Sequence, residues 1–456
     1  MSEQNAEVKE NKMGYMPVGK LVFSMSLPMM ISMLVQACYN IIDSIYISRF
    51  SEEALAAVSY AFPAQNLMIG FATGVAVGVN ALLSKALGEK NYKKVNKAAG
   101  NGLLLALASF VIFFLFGLFG SRWFISFQTE TESVIEYGTQ YLTVCCCFSF
   151  GIFGEVLFER YMQSTGRTIY TMFTQGIGAI CNIILDPIFI FGYLGFPEMG
   201  AKGAAVATVI GQIIAFIIAV ILNHLKNPEV KLDKEALLPE SHTIGSILEV
   251  GVPSILMMAV GSFMTTGMNK ILNKFSDLAV TVFGVYFKLQ SFVFMPIFGL
   301  NNGVIPIVAF NYGARHKKRM MKTVKIACLA ASGFMALGLF VMQVFPSVAL
   351  SLFDASPEML EIGVPALRII SISYIFAGIC IALGSVFQAL GRGTYSTIVS
   401  IARQLLILLP VAYLFSLTGK LNMVWFAFPI AEIMSITVTL ILFARIYKNV
   451  IKDIPD

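Results

Sequence analysis

The sequence predicts an all-α integral membrane protein in which twelve transmembrane helices form two six-helix lobes, related by a pseudo-twofold axis along the membrane normal. The first observation is composition: 57% of the 456 residues are hydrophobic and 13% are charged, whereas soluble domains contain about 25% charged residues. The second is a series of long apolar runs without the alternation typical of a transmembrane β-barrel, which favours helical spans. The third is an internal repeat.

Twelve segments are apolar over about the 20 residues that a helix needs to cross a bilayer. They are 21–47, 56–83, 98–119, 141–163, 170–194, 203–224, 246–272, 279–308, 325–348, 364–389, 396–417 and 422–446. The basic connections at 88–97, 223–243 and 313–325 fall on one side together with both termini. The positive-inside rule therefore predicts cytoplasmic N and C termini.

The repeat is visible when residues 28–95 are laid over residues 253–320 without a gap, an offset of 253 − 28 = 225. This register pairs Pro28 with Pro253, and it still pairs Gly166 with Gly391 far along the chain. Two parallel six-helix halves around a central cleft are typical of transporters. The predicted units are an N-terminal tail (1–20), an N-lobe (21–224), a linker (225–245), a C-lobe (246–446) and a C-terminal tail (447–456).

Intramembrane carboxylates are the first candidates for functional residues, because an ionised one costs about 2.5–3.5 kcal/mol at mid-depth on insertion scales. Asn40 and Asp43 are three residues apart and Asn182 and Asp186 are four apart, so each pair shares a helix face. Together with the hydroxyl of Thr208 they offer hard oxygen ligands for a small cation or a shared proton.

Pro187 follows Asp186 directly and removes one backbone hydrogen bond beside the acid. The repeat provides an internal control, since Thr265 and Met268 occupy the C-lobe positions that correspond to Asn40 and Asp43. A polar set confined to one lobe favours a cation-coupling function over the alternative, a structural network inside that lobe.

Five other charged residues inside predicted spans are weighed as candidates. Glu155 is mid-span and either lines the cleft or pairs with a neighbouring helix. Glu159 and Arg160 lie near the cytoplasmic end, where we expect a pair that extends to the interface. Lys288, about ten residues into its span, is interpreted as facing the aqueous cleft, and Glu432 has either a packing or a gating role.

An enzyme is disfavoured, because the three histidines lie in predicted loops and no GxSxG, HExxH or Walker motif is present. No cofactor is predicted. The short basic runs flank spans and do not indicate nucleic-acid binding. The seven cysteines fall within apolar segments and predict buried thiols rather than disulfides.

Several segments resemble those of the multidrug and toxic compound extrusion (MATE) transporters across residues 17–446. They include "YNIID" (39–43), "QSTGRTIYT" (163–171), "NIILDPIFIFG" (182–192), "FNYGARHKKRM" (310–320) and "WFAFPIAE" (425–432). The resemblance implies the MATE fold and a monomeric antiporter in the cell membrane, exporting amphipathic, cationic compounds in exchange for protons or Na+. An alternative within the same superfamily is a flippase or exporter of a lipid-linked or endogenous metabolite.

The resemblance also implies roles for particular residues. The coupling site would comprise Asn40, Asp43, Asn182, Asp186 and Thr208, and Na+ would bind at Asp43, Asn182, Asp186 and Thr208. A second group would contribute to the substrate cleft, namely Met33, Gln36, Tyr39, Phe62 and Glu155. Pro28 and Pro187 would act as conformational hinges, with the first helix bending at Pro28. A second cation site in the C-lobe is not expected.

Overall fold

The computed structural model describes residues 11–353 and 355–455, and every regular element in this part of the chain is helical. Among the described residues, ten helices are long and apolar enough to cross a membrane, and two bent helix pairs raise the number of spans to as many as twelve. The N-lobe helices and those that precede them are α1 (Lys12–Tyr15), α2 (Val18–Phe50), α3 (Glu52–Gly88), α4 (Tyr92–Phe119), α5 (Ser121–Ser126), α6 (Glu132–Cys147), α7 (Phe150–Ser164), α8 (Thr168–Phe191) and α9 (Ala201–Lys226), with a short 3-10 turn at Tyr193–Gly195 between the last two.

The second half repeats this order. Its helices are α10 (Ser241–Asn273), α11 (Asp277–Gly313), α12 (Lys317–Val344), α13 (Pro346–Ser351), α14 (Pro357–Ser371), α15 (Tyr374–Ala389), α16 (Gly393–Ile401), α17 (Leu409–Ser416), α18 (Leu421–Trp425) and α19 (Ala427–Ile446). π-Helical segments follow α16 at Ala402–Leu408 and α19 at Tyr447–Ile451. The repeat extends to backbone detail, since Lys90 and Arg315, 225 residues apart, both have positive φ.

The fourth and tenth spans are broken, where the sequence predicts uninterrupted helices at 141–163 and 364–389. Helices α6 and α7 meet at 45°, and α14 and α15 meet at 50°. At each break a serine hydroxyl donates to the carbonyl oxygen three residues back: Ser149 to Cys146 and Ser373 to Ile370, both at 2.7 Å. Such bonds compete with the helical ladder and are an established cause of helix bending.

Glycines bring the two lobes into contact at the inner end of the molecule, defined here as the end that carries the basic loops. A Cβ on Gly299 of α11 would lie 2.6 Å from the backbone nitrogen of Met30 on α2. The repeat-equivalent Gly74 of α3 approaches Ile255 of α10, the equivalent of Met30. The interface therefore has the pseudo-twofold symmetry of the repeat, and it depends on backbones that pack without an intervening side chain.

The same helix faces separate toward the outer end. On α2, Met29 meets Gly299 in the inner half, and Gln36 and Asn40 lie seven and eleven residues further along that face. Both are exposed. On α11, Lys288 lies eleven residues before Gly299 on the same face and is exposed as well. A cleft that opens at the outer end therefore runs between the lobes.

The short helix α1 connects the lobes at the inner end. Asn11 donates to the carbonyl of Thr165 in the N-lobe at 2.9 Å. Arg319 at the start of α12 donates to the carbonyls of Met13 and Met16, at 3.0 and 2.7 Å. Met13 is fully buried, so this segment forms part of the closed inner interface.

Candidate functional site

Helices α2, α8 and α9 bring together four of the five residues predicted for cation coupling. Asp186 is fully buried, Asn182 and Thr208 are nearly so, and Asp43 is half-buried. The carboxyl groups of Asp43 and Asp186 lie close enough to interact directly with one another. Because two ionised carboxylates repel each other, a shared proton or an intervening cation would stabilise this arrangement.

Asn182 connects the acid on α8 to helix α9. In the orientation that satisfies both ends of its amide, the nitrogen donates to Asp186 Oδ2 at 3.3 Å. The amide oxygen then accepts from the backbone nitrogen of Thr208 at 3.1 Å and from its hydroxyl at 3.2 Å. This arrangement holds one side of the carboxyl pair in a fixed geometry.

The other side of the pair is less constrained. Asp43 Oδ1 is buried and has no hydrogen-bond partner among the described residues. An unsatisfied buried carboxylate oxygen is costly, and a proton or a small cation would satisfy it. The carboxylates with Asn182 and Thr208 form an all-oxygen donor set of the kind that hard cations bind.

Two prolines are associated with this site. Pro187 lies within the continuous helix α8 and cannot donate to the carbonyl of Ile183, one turn earlier. Pro28 is buried in α2, which also remains one continuous helix in this conformation. The predicted bend of the first helix at Pro28 is a statement about a second conformation and stays a prediction.

Several polar side chains of the N-lobe lie near Asp43. Tyr39 lies close enough to Asp43, Asp186 and Glu155 to interact with all three electrostatically. Tyr141 of α6 also lies near Asp43, and its hydroxyl donates to Gln65 Oε1 of α3 at 3.3 Å. Sequence reasoning missed Tyr141 and Gln65, because one tyrosine or glutamine in a span is common.

The remaining cleft candidates lie on the wall of the opening. Gln36, Asn40 and Phe62 are exposed, and Met33 is half-buried. Phe62 lies eleven residues before Thr73, on the α3 face that meets α10. Asn40 makes no side-chain hydrogen bond to the other four predicted coupling residues in the described structure, so it lies at the rim of their cluster.

Glu159 and Arg160 differ from the sequence-based expectation of an interfacial pair. Both side chains are buried, with 2% and 7% exposure. Glu159 accepts from Thr174 Oγ1 at 2.6 Å and from Gln175 Nε2 at 2.7 Å. Arg160 donates to Asn302 Oδ1 of α11 at 3.0 Å, a bond between the lobes. The expectation that this pair extends to the membrane interface was wrong, because it took account only of depth in the span. These polar partners of Glu159 and Arg160 come from other helices, which depth does not reveal.

In the C-lobe, Glu432 is buried and pairs with Arg403 Nη1 at 3.2 Å. Arg403 belongs to the π-helical segment after α16, and π-segments are frequent at functional sites. Sequence reasoning missed Arg403, although a single arginine within the predicted span 396–417 was a usable signal.

Comparison with known proteins places these observations in a family. The MatE family profile matches residues 28–188 and 253–414, one match in each lobe. A multidrug export protein MepA of Staphylococcus haemolyticus is 26% identical over 408 residues, covering 89% of each chain. An FAD transporter of Shewanella oneidensis is 25% identical over 430 residues, covering 92% of each.

The fold is likewise shared with a solved structure. The outward-facing conformation of a multidrug resistance MATE family transporter superimposes with a TM-score of 0.90 at 25% identity, covering 97% of this chain and 99% of the other. The all-helical fold of two six-helix lobes is thereby confirmed. These relatives are transporters, which agrees with the prediction that the chain is not an enzyme.

Proposed function

Because the chain belongs to the MatE family of membrane transporters, we propose that it is a secondary active antiporter. It exports amphipathic, cationic compounds in exchange for protons or Na+, and it couples the two flows at Asp43 and Asp186. We further propose that it acts as a monomer in the cell membrane, with both termini in the cytoplasm.

The observation that carries this proposal is the polar cluster in which Asp43, with an unpaired buried Oδ1, lies next to Asp186 and its partner Asn182 beside the outward cleft. A cation bound between the two acids can exchange with the cleft on the side of Asp43, which lies on a cleft-lining helix. The fully buried Asp186 holds it from the other side. Binding of a proton or Na+ neutralises the site and releases a cationic substrate outward. Loss of that cation to the cytoplasm restores the negative charge that attracts the next substrate.

Pro28 supplies the conformational step in this cycle. Its missing N–H weakens the ladder of α2 between the inner interface and Asp43. Neutralisation of Asp43 removes its charge repulsion with Asp186. The outer half of α2 then packs differently against α8, and α2 bends at Pro28. Thr208 and Asn182 keep Asp186 in place during this change, and Tyr39 and Glu155 attract the cationic group of the substrate.

The test is export of rhodamine B ethyl ester, a cationic dye, from proteoliposomes under an imposed pH gradient or an imposed Na+ gradient. Wild-type protein should export the dye under at least one gradient, and Asp43→Asn and Asp186→Asn should abolish the dependence on it. Glu136→Gln, which removes an exposed carboxylate of α6 in the same lobe, is the matched control and should behave as wild type. Wild-type transport by both aspartate variants would refute the coupling role.

A second candidate function is export of an endogenous or lipid-linked metabolite. It is favoured by the relative that is named an FAD transporter. The same proteoliposomes distinguish the two, since this alternative predicts export of an anionic flavin nucleotide and no export of the cationic dye.

A further inference from the structure

Lys288 is a charged residue deep in the outer half of α11. It lies 288 − 277 = 11 residues from the start of the helix, roughly 16 Å along the axis at 1.5 Å per residue. A lysine in a membrane span is costly where its charge faces the hydrocarbon of the lipid. Its side chain is nevertheless exposed, so its surroundings determine whether the charge is solvated.

The face of α11 that carries Lys288 is the one that meets the N-lobe. Lys288 and Gly299 are eleven residues apart, close to three full turns, and Gly299 packs against Met29 and Met30 of α2. Lys288 therefore lies on the cleft wall, across from the outer half of α2. In the described part of the chain, none of the ion pairs includes Lys288, and its Nζ is 5.9 Å from the ring centroid of Phe353.

The two walls of the cleft carry opposite charge. On the N-lobe side lie the half-buried Asp43 and Glu155, with the fully buried Asp186 next to Asp43, and the C-lobe does not repeat these acids. The C-lobe contributes Lys288, and its N-lobe equivalent at the 225-residue offset is Pro63. A substrate that lies between the lobes thus meets acids on one side and an ammonium group on the other.

This polarity restricts which substrates fit. A purely cationic compound brings like charge toward Lys288 and leaves the ammonium without a counter-ion as the cleft loses water, and uncompensated charge of this kind is how binding sites reject ligands. We propose, resting on the function proposed above, that Lys288 binds an anionic group of the substrate, so that among amphipathic cationic compounds the transporter prefers those that also carry a carboxylate. The cationic group of the substrate then faces the N-lobe acids and its carboxylate faces Lys288.

The test uses two dyes that differ only at a carboxylate. Rhodamine B is a zwitterion, and rhodamine B ethyl ester is the corresponding cation. Fluorescence anisotropy of the purified full-length protein at pH 7 gives the Kd of each dye for wild type, Lys288→Gln and Lys288→Arg. Lys274→Gln is the matched control, because Lys274 also stands over an aromatic ring, that of Tyr413, but lies at the outer end of α10.

Lys288→Gln should weaken rhodamine B about tenfold, as expected for loss of one charge-assisted hydrogen bond, and should leave ester binding unchanged or tighter. Lys288→Arg should retain most of the affinity for rhodamine B, and Lys274→Gln should change neither dye. Equal weakening of both dyes would show a structural role and overturn the proposal. An unchanged Kd for rhodamine B, or a wild-type protein that binds the ester alone, would overturn it too.

Failure of this inference is distinguishable from failure of the proposed function. If the wild-type protein exports the ester under an ion gradient but Lys288→Gln leaves the Kd of rhodamine B unchanged, the antiport function is supported and the role of Lys288 in binding a carboxylate is refuted. If neither dye is exported under any gradient, the antiport function itself is refuted.

Discussion

The closed inner interface makes a quantitative prediction about Gly299. A Cβ at this position would lie 2.5 Å from the Cα of Met30 and 2.6 Å from its nitrogen, both backbone atoms of the opposite lobe. Ordinary van der Waals contact begins at 3.4 Å, so Gly299→Ala requires the helices to part by at least 3.4 − 2.5 = 0.9 Å. Overpacking of this kind costs about 1–3 kcal/mol, which corresponds to roughly a 5- to 150-fold change in a conformational equilibrium.

The assay is a double electron–electron resonance measurement across the inner end. Spin labels at Tyr92→Cys on α4 and Lys322→Cys on α12, in a background without native cysteines, report the distance between the lobes there. Gly299→Ala should shift population from the short to the long distance. Gly284→Ala, on the same helix with nothing within 4 Å of its Cβ, controls for helix propensity and should leave the distribution unchanged. Identical distributions for all three proteins would refute the close-packing argument.

Three further predictions concern the polar contacts. Arg403→Met should lower the thermal unfolding temperature, because it leaves the buried Glu432 carboxylate without its partner. The expected cost is about 2 kcal/mol after allowing for the partial exposure of the arginine. The double variant with Glu432→Met should recover much of the loss, and a double variant as unstable as the single one would contradict the pairing. Arg319→Gln should raise the rate at which trypsin cleaves between Lys12 and Met13, because the hydrogen bonds from Arg319 to the carbonyls of Met13 and Met16 are lost. An unchanged rate would show that these bonds do not hold α1 in place. Thr208→Val, which keeps the shape but removes the hydroxyl, should weaken ion-driven dye export several-fold while dye binding persists, and export at the wild-type rate would exclude a role for the hydroxyl.

Much of this fold was predictable because hydropathy and the 225-residue repeat are properties of the chain as a whole. The helix breaks were not. A hydropathy window treats Ser149 and Ser373 as residues within an apolar run, whereas the bend depends on one hydroxyl bonding to the carbonyl three residues back. For the same reason hydropathy predicts the span around Arg403 but not its π-helical segment.

Spacing along one helix can indicate which polar residues of the candidate site share a face. The spacing of Asn182 and Asp186 indicates a polar face on α8. Asp43 and Thr208, which are also predicted for the site, lie beside that face in the structure. Contacts between distant segments could not be derived from spacing. The bond between Arg160 and Asn302 joins residues 142 positions apart, and the place of Tyr141 beside Asp43 depends on how α6 packs against α2 and α3.

Cation exchange at Asp43 and Asp186 is the central claim, and it is tested most directly by measuring what substrate binding displaces. Purified protein in weakly buffered detergent, loaded with 22Na+ or with a pH indicator present, is mixed with rhodamine B ethyl ester. The wild-type protein should release a proton or a sodium ion as the dye binds. Asp186→Asn should bind the dye and release neither. Release of the same ion by Asp186→Asn, to the same extent as by wild type, would contradict the account.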